Sequence, residues 1–132
     1  MTEKIHYNWQ GLISILGGVT SYLLGEWDFL LKTLIALIIL DYITGICKGI
    51  YSKNLSSKLG IKGIVKKVFM LSVVAVANLI QTTLGNSIPI REIIITFYIV
   101  NESISILENA SDFIPIPAKL YEVIHNIKDE NK

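Results

Sequence analysis

The feature that most constrains this chain is a lysine island set between long apolar runs. Asp41 to Lys67 reads DYITGICKGIYSKNLSSKLGIKGIVKK and carries Lys48, Lys53, Lys58, Lys62, Lys66 and Lys67 with no acid after Asp41. A short basic loop between apolar helices is retained in the cytoplasm, because Lys and Arg near span ends set membrane orientation. The six lysines are therefore read as topology determinants and contacts to anionic lipid, and the loop is placed at 51–67. The island lacks interleaved aromatics, so nucleic acid is not expected as a partner.

Composition points the same way. The 132 residues are 52% hydrophobic and 17% charged, with mean hydropathy +0.54, whereas soluble domains average about 25% charged. The net charge of +1 conceals a segregation of lysines from acids. The apolar residues come in blocks close to the roughly 20 that a helical span requires. The expected fold is all-α: one membrane domain over 1–132 with candidate spans 9–25, 29–50, 68–88 and 93–110, then a C-terminal amphipathic helix at 117–129. Met1 to Asn8 is polar and lacks the basic region and cleavage site of a removable signal peptide.

The first block, WQGLISILGGVTSYLLG, is short and rich in glycine. It reads either as a span or as an interfacial helix anchored by Trp9 and Trp27. Gly11, Ser14, Gly18, Ser21 and Gly25 recur at three and four residues, which puts small side chains on one face and permits close helix packing in lipid. Glu26, Trp27 and Asp28 form an acidic outer turn. In the second block Lys32 snorkels to the surface, while Asp41 lies roughly 18 Å along the helix from Phe29 at 1.5 Å per residue. Gly45 and Gly49 follow Asp41 one and two turns on, a second small-residue packing face.

The third block is uncharged from Val68 to Ile88, with a mildly polar stripe through Ser72, Ala75, Asn78, Thr82 and Gly85. Pro89 suits a first helical residue, and Arg91 is the one strongly basic residue of the outer loop. The fourth block carries Tyr98, Asn101, Glu102, Ser105, Glu108, Asn109 and Asp112 at three- and four-residue spacing among isoleucines. A polar stripe on such a helix faces a bundle or a water path. Pro115 and Pro117 end that helix, and Leu120, Val123, Ile124 and Ile127 make an amphipathic face suited to the cytoplasmic surface. With four spans, ten of the twelve basic residues are cytoplasmic, Arg91 is outside and Lys32 is in a helix. If the first block does not cross, only the N-terminus changes side.

No catalytic constellation is present, and no cofactor or metal is expected. His6 and His125 are isolated, the single Cys47 has no partner for an intrachain disulfide, and nucleophile-elbow, zincin and P-loop motifs are absent. Asp41 and Glu102 fall at similar depths with no basic residue at matching depth, so each is expected to be protonated, hydrated or hydrogen-bonded. They serve either to bond helices together, with Asn78, Asn101 and Tyr98, or to line a wet face.

Three motifs carry a family resemblance. The Asp-x-x-x-Gly segment Asp41 to Gly45, the Ser-Ser-Lys-x-Gly-x-x-Gly loop Ser56 to Gly63 with Lys66-Lys67, and the Phe-Tyr-x-x-Asn-Glu-x-x-Ser-x-x-Glu-Asn helix Phe97 to Asn109 resemble the phage-lysis and toxin-secretion holins of low-GC Gram-positive bacteria and their phages. The resemblance covers Phe29 to Leu120. It implies a non-enzymatic homo-oligomer in the cytoplasmic membrane that opens a lesion for an endolysin or a secreted toxin. Asp41, Asn78, Tyr98, Asn101, Glu102, Ser105, Glu108 and Asn109 would then form its polar face. A small ion channel or transporter, and an antiholin or assembly adaptor of the same fold, are the alternatives.

Overall fold

The computed structural model describes residues 2–130, with the side chains of 2–7 and 128 outside the description. The charges expected at Lys4, Lys128 and Lys132, and His6, therefore lie outside the described side chains. Five helices follow one another: α1 (Thr2–Leu24), α2 (Phe29–Tyr51), α3 (Ser57–Thr83), α4 (Ile90–Ser111) and α5 (Ala118–Glu130). No strand occurs among the described residues.

Local chemistry sets each boundary. Asp28 N-caps α2, its Oδ1 accepting from the Leu31 N–H at 2.9 Å, and Ser56 caps α3 by accepting from Leu59 at 3.2 Å. These caps satisfy amides that have no partner within the first helical turn. The end of α3 is a Schellman turn, with Asn86 N–H donating to Gln81 O at 2.9 Å, Gly85 N–H to Thr82 O at 3.1 Å, and Gly85 at φ +71°. Pro89 stands at the N-cap of α4 rather than as its first helical residue. The Gln81 side chain accepts from the Arg91 N–H at 2.7 Å, supplying the cap that proline cannot.

The basic loop is shorter than 51–67. Helix α2 runs through Tyr51 and α3 begins at Ser57, so Lys58, Lys62, Lys66 and Lys67 are helical. Ser56 decides this, because a capping hydroxyl starts the helix eleven residues before the uncharged run at Val68.

Helix α4 is central, packing chiefly on α2 and next on α3, while α2 and α3 touch each other least. The core is Leu24, Leu31, Leu34, Ile38, Met70, Val74 and Ile95. It is small. Among the described residues thirty-four large apolar side chains are exposed against nine buried apolar ones, a distribution that leaves the outer surface needing an apolar solvent. Helices α2 and α3 are long and apolar enough to cross a membrane. Of the four spans expected from sequence, α1 and α4 do not meet that measure; α4 carries Arg91, Glu92, Glu102 and Glu108 within its 22 residues.

Gly25 ends α1 at φ +83°, and a Cβ there would meet Arg91 Nε at 2.6 Å and Asn78 Oδ1 at 2.7 Å. Its role is thus a helix stop under close approach, not membership of the α1 packing face. Gly85 has a similar φ with open space around it. Gly85→Ala should cost about 1–2 kcal/mol, the left-handed penalty alone. Gly25→Ala should cost more and lower the thermal unfolding midpoint in detergent further; equal losses would show that the close approach is unimportant.

Candidate functional site

Asp41, Lys67 and Glu102 lie in the interiors of α2, α3 and α4, and the fold brings them together. The Lys67 ammonium donates to Asp41 Oδ2 and to Glu102 Oε2. Their side chains are 11%, 12% and 2% exposed for Lys67, Asp41 and Glu102, so this is a buried ion cluster joining all three helices. Asn109 extends it, donating to Asp41 Oδ1 at 3.3 Å and Thr44 Oγ1 at 3.1 Å. The expectation that neither acid has a basic residue at matching depth is corrected by Lys67. So is the assignment of Lys67 to lipid contact, since it points into the bundle.

The periodicity of α3 explains the inward turn. Lys67 is in register with Met70, Val74, Ala77 and Asn78, the buried stripe of that helix, whereas Lys66 is exposed. Two carboxyls sharing one ammonium at these burials are stable only with their remaining lone pairs hydrogen-bonded. The Asn109 amide meets part of that need.

Two cavities flank the cluster. One, of about 470 Å³, lies between the C-terminal half of α2 and the N-terminal half of α3, and Asp41, Lys67, Ser105 and Asn109 are among its lining residues. The other, of about 350 Å³, lies between α3 and α4 and is lined by Tyr98, Asn101, Glu102, Ser105 and Glu108. Seven of the eight residues expected on a polar face thus gather around one cluster. Asn78 is the exception. Its amide donates to Tyr22 O at 3.2 Å and Leu23 O at 3.0 Å, capping the end of α1.

Arg91 completes this second knot. Its Nε donates to Leu24 O at 2.7 Å, one terminal nitrogen to Glu26 O at 2.8 Å and the other to Asp28 Oδ2 at 2.8 Å. Only 3% of Arg91 is exposed. Expected as an outer-loop cation, Arg91 lies in the first turn of α4 and is a buried clamp on the α1–α2 turn. Hydrogen bonding from Arg91 holds the Asp28 carboxyl below the usual carboxylate range; partial burial opposes this and the Leu31 N–H reinforces it.

Among the described residues the α1 small-residue face is open from Gly11 to Ser21. Nothing lies against Gly11 or Gly18, Ser14 bonds only back to Gln10 O at 2.8 Å, and Ser21 is exposed. Gly45 faces Asn109 and Gly49 faces Leu55, so neither packs against a helix backbone. Lys53, Lys58 and Lys62 are exposed, and Lys48 pairs with Asp112 at 3.1 Å.

The sequence matches the bacteriophage holin family over residues 18–129. The chain belongs to that family. Its match takes in all of α2, α3 and α4, and therefore both knots. A probable holin of Bacillus phage phi105 is 36% identical over 112 residues, 84% of this chain and 82% of its own. An uncharacterised 14.9 kDa protein of Clostridium perfringens is 41% identical over 132 residues, covering 98% of this chain and 99% of its own. An uncharacterised protein of Listeria innocua is 45% identical over 111 residues, with 84% and 77% covered. No solved structure matches.

Within this holin-family chain the two knots respond differently to substitution. Lys67→Met strands two buried carboxylates and should cost about 3–5 kcal/mol. Asp41→Asn and Glu102→Gln each leave Lys67 one carboxylate and should cost less. Unfolding midpoints in detergent that rank Lys67→Met no lower than the other two would sink this reading.

The Arg91 knot carries a pH dependence. Because folding depresses the Asp28 pKa, its stabilisation is full above the unfolded value of about 3.9 and is lost as pH falls through the folded one. Unfolding midpoints measured from about pH 6 to pH 3 should therefore fall more steeply for the parent than for Asp28→Asn; parallel curves would contradict it.

Proposed function

We propose that the protein is a holin: a multi-pass protein of the cytoplasmic membrane that assembles with copies of itself and opens a lesion through which an endolysin or a secreted toxin leaves. In this reading α1 and α4 cross together with α2 and α3, and the Ser52–Ser56 connector and α5 lie on the cytoplasmic side. The observation that carries the proposal is a holin-family chain whose exterior is apolar and whose interior fastening is ionic. Such a bundle is held shut by contacts that water would weaken.

The mechanism follows from the dielectric. In the closed bundle Lys67 sits between Asp41 and Glu102, where separating the charges without water is costly. As copies gather and water reaches the cluster from the flanking cavities, hydration replaces the ion pairs. The same three side chains can then face a wet lumen at little cost. The latch and the lumen lining are one set of residues in two states. The bare Gly11, Ser14 and Gly18 face supports α1 as a contact between copies, since small residues permit close approach in lipid.

The test is inducible expression in a bacterium that carries an endolysin, with membrane potential and turbidity followed in time. The parent should abolish the potential abruptly and then lyse the culture. Asp41→Asn and Glu102→Gln weaken the latch and remove charge from the lumen, so the time of collapse should move. A potential that persists at high expression would defeat the holin reading. Collapse on the parental schedule in both variants would defeat the latch.

A further inference from the structure

Four polar side chains on α3 and α4 share one face of the bundle. Lys66, Tyr98, Asn101 and Glu108 all line the cavity of about 350 Å³ between these helices. Among the described residues, none of the four makes a side-chain hydrogen bond or an ion pair. Lys66 and Glu108 are exposed, and Tyr98 and Asn101 are partly so.

Helix direction brings the two charges toward each other. The Gln81–Arg91 and Lys67–Glu102 contacts show that α3 and α4 run antiparallel. Helical side chains lean toward their own N-terminus, so Lys66 leans toward the 52–56 connector and Glu108 away from it. In the proposed membrane placement Lys66 stands about 15 Å along α3 from Ser56, at 1.5 Å per residue. Acyl chains satisfy none of these four groups, which leaves protein or water to cover the face.

The presence of both signs on one face favours protein, and in particular a second copy of this chain. A copy inserted the same way, and related by a two-fold axis along the membrane normal, presents its own Lys66 and Glu108 at the same depths. Lys66 of one copy then meets Glu108 of the other, and symmetry forms the reverse pair. Because both charges lie on one face, the contact that answers both is two-fold and not head-to-tail.

Resting on the membrane placement proposed above, we infer that the α3–α4 face is the docking surface for a second copy, held by two reciprocal Lys66–Glu108 ion pairs with Tyr98 and Asn101 beside them. This contact is closed, so it makes pairs and leaves the α1 face free to link them. A copy docked there also covers the cavity that borders Glu102, so the cavity between α2 and α3 remains as the open route for water.

Differently tagged full-length copies, co-expressed and isolated in neutral detergent, test this by how much of one tag is recovered with the other. All carry Gly18→Leu, which blocks the α1 face without meeting anything in its own chain. Copies with no further change should recover each other. Lys66→Glu or Glu108→Lys, each paired with its own kind, sets like charges together at both contacts, and recovery should fall about tenfold or more. The two variants paired with each other restore opposite charges at both contacts and should recover as the unchanged copies do.

If the two charges instead pair within one chain, the mixture gains nothing and only the double variant, Lys66→Glu with Glu108→Lys, recovers. If water covers the face, recovery is the same in every combination. Either result would overturn the contact. For a variant that does not accumulate, Lys66→Cys on one tagged copy and Glu108→Cys on the other, both with Cys47→Ser, should be joined by a short thiol cross-linker; absence of the joined product overturns it equally. Membrane potential in cells expressing the parent reads the holin proposal separately. Rescue in the mixture without depolarisation defeats the holin and leaves this contact standing, whereas depolarisation without rescue loses this contact alone.

Discussion

The structure depends on the sharing of the Lys67 ammonium between Asp41 and Glu102. Three helices meet at that point, and each contributes one charge that is costly to desolvate alone. Ion clusters of this kind add little net stability over a well-packed apolar core, but they are intolerant of misalignment. Sliding any one helix by a turn would part the charges by about 5.4 Å in a medium that cannot screen them. Nonpolar packing alone would fix the bundle less uniquely, since its buried core comprises only a few leucines, isoleucines, one valine and one methionine. Register here is set by charge.

Much of this was legible in the sequence, and the failures have specific causes. Helix number, the C-terminal amphipathic helix and the polar face of α4 follow from periodicity and punctuation, which act locally. Asp41 and Glu102 stand out because acids within apolar runs need an explanation. Lys67 escaped because sign was read before phase. As one of six lysines between two apolar blocks it belongs to a topology signal, yet its spacing to Met70, Val74 and Ala77 puts it on the buried face of α3. Stepping back from Asn78 by four, four and three residues would have found it.

Arg91 and Gly25 were missed for a different reason. Both owe their roles to backbone carbonyls, and a sequence does not display those. Arg91 binds Leu24 O and Glu26 O in addition to Asp28, so its partners are created only when α1 stops. Gly25 prolongs the three-and-four repeat of Gly11, Ser14, Gly18 and Ser21, and that repeat disguises a residue whose positive φ ends the helix. The acidic turn supplied the one available hint, because a lone outer cation opposite Asp28 is poorly placed to stay unpaired.

The two knots also divide the molecule mechanically. The inner one ties α2, α3 and α4 into a unit, while Asn78 and Arg91 grip α1 only at its last residues and the turn beyond. From Asn8 to Val19 every residue of α1 is exposed, so nothing within the chain determines what covers most of that helix. An apolar helix fixed at one end and bare along its length is free to exchange lipid for protein without disturbing the core. In the proposed holin mechanism, opening and assembly would therefore begin on different parts of the chain, α1 finding a neighbouring copy while the Lys67 cluster still holds. On that proposal the cluster would be released only when enough copies have gathered for water to follow.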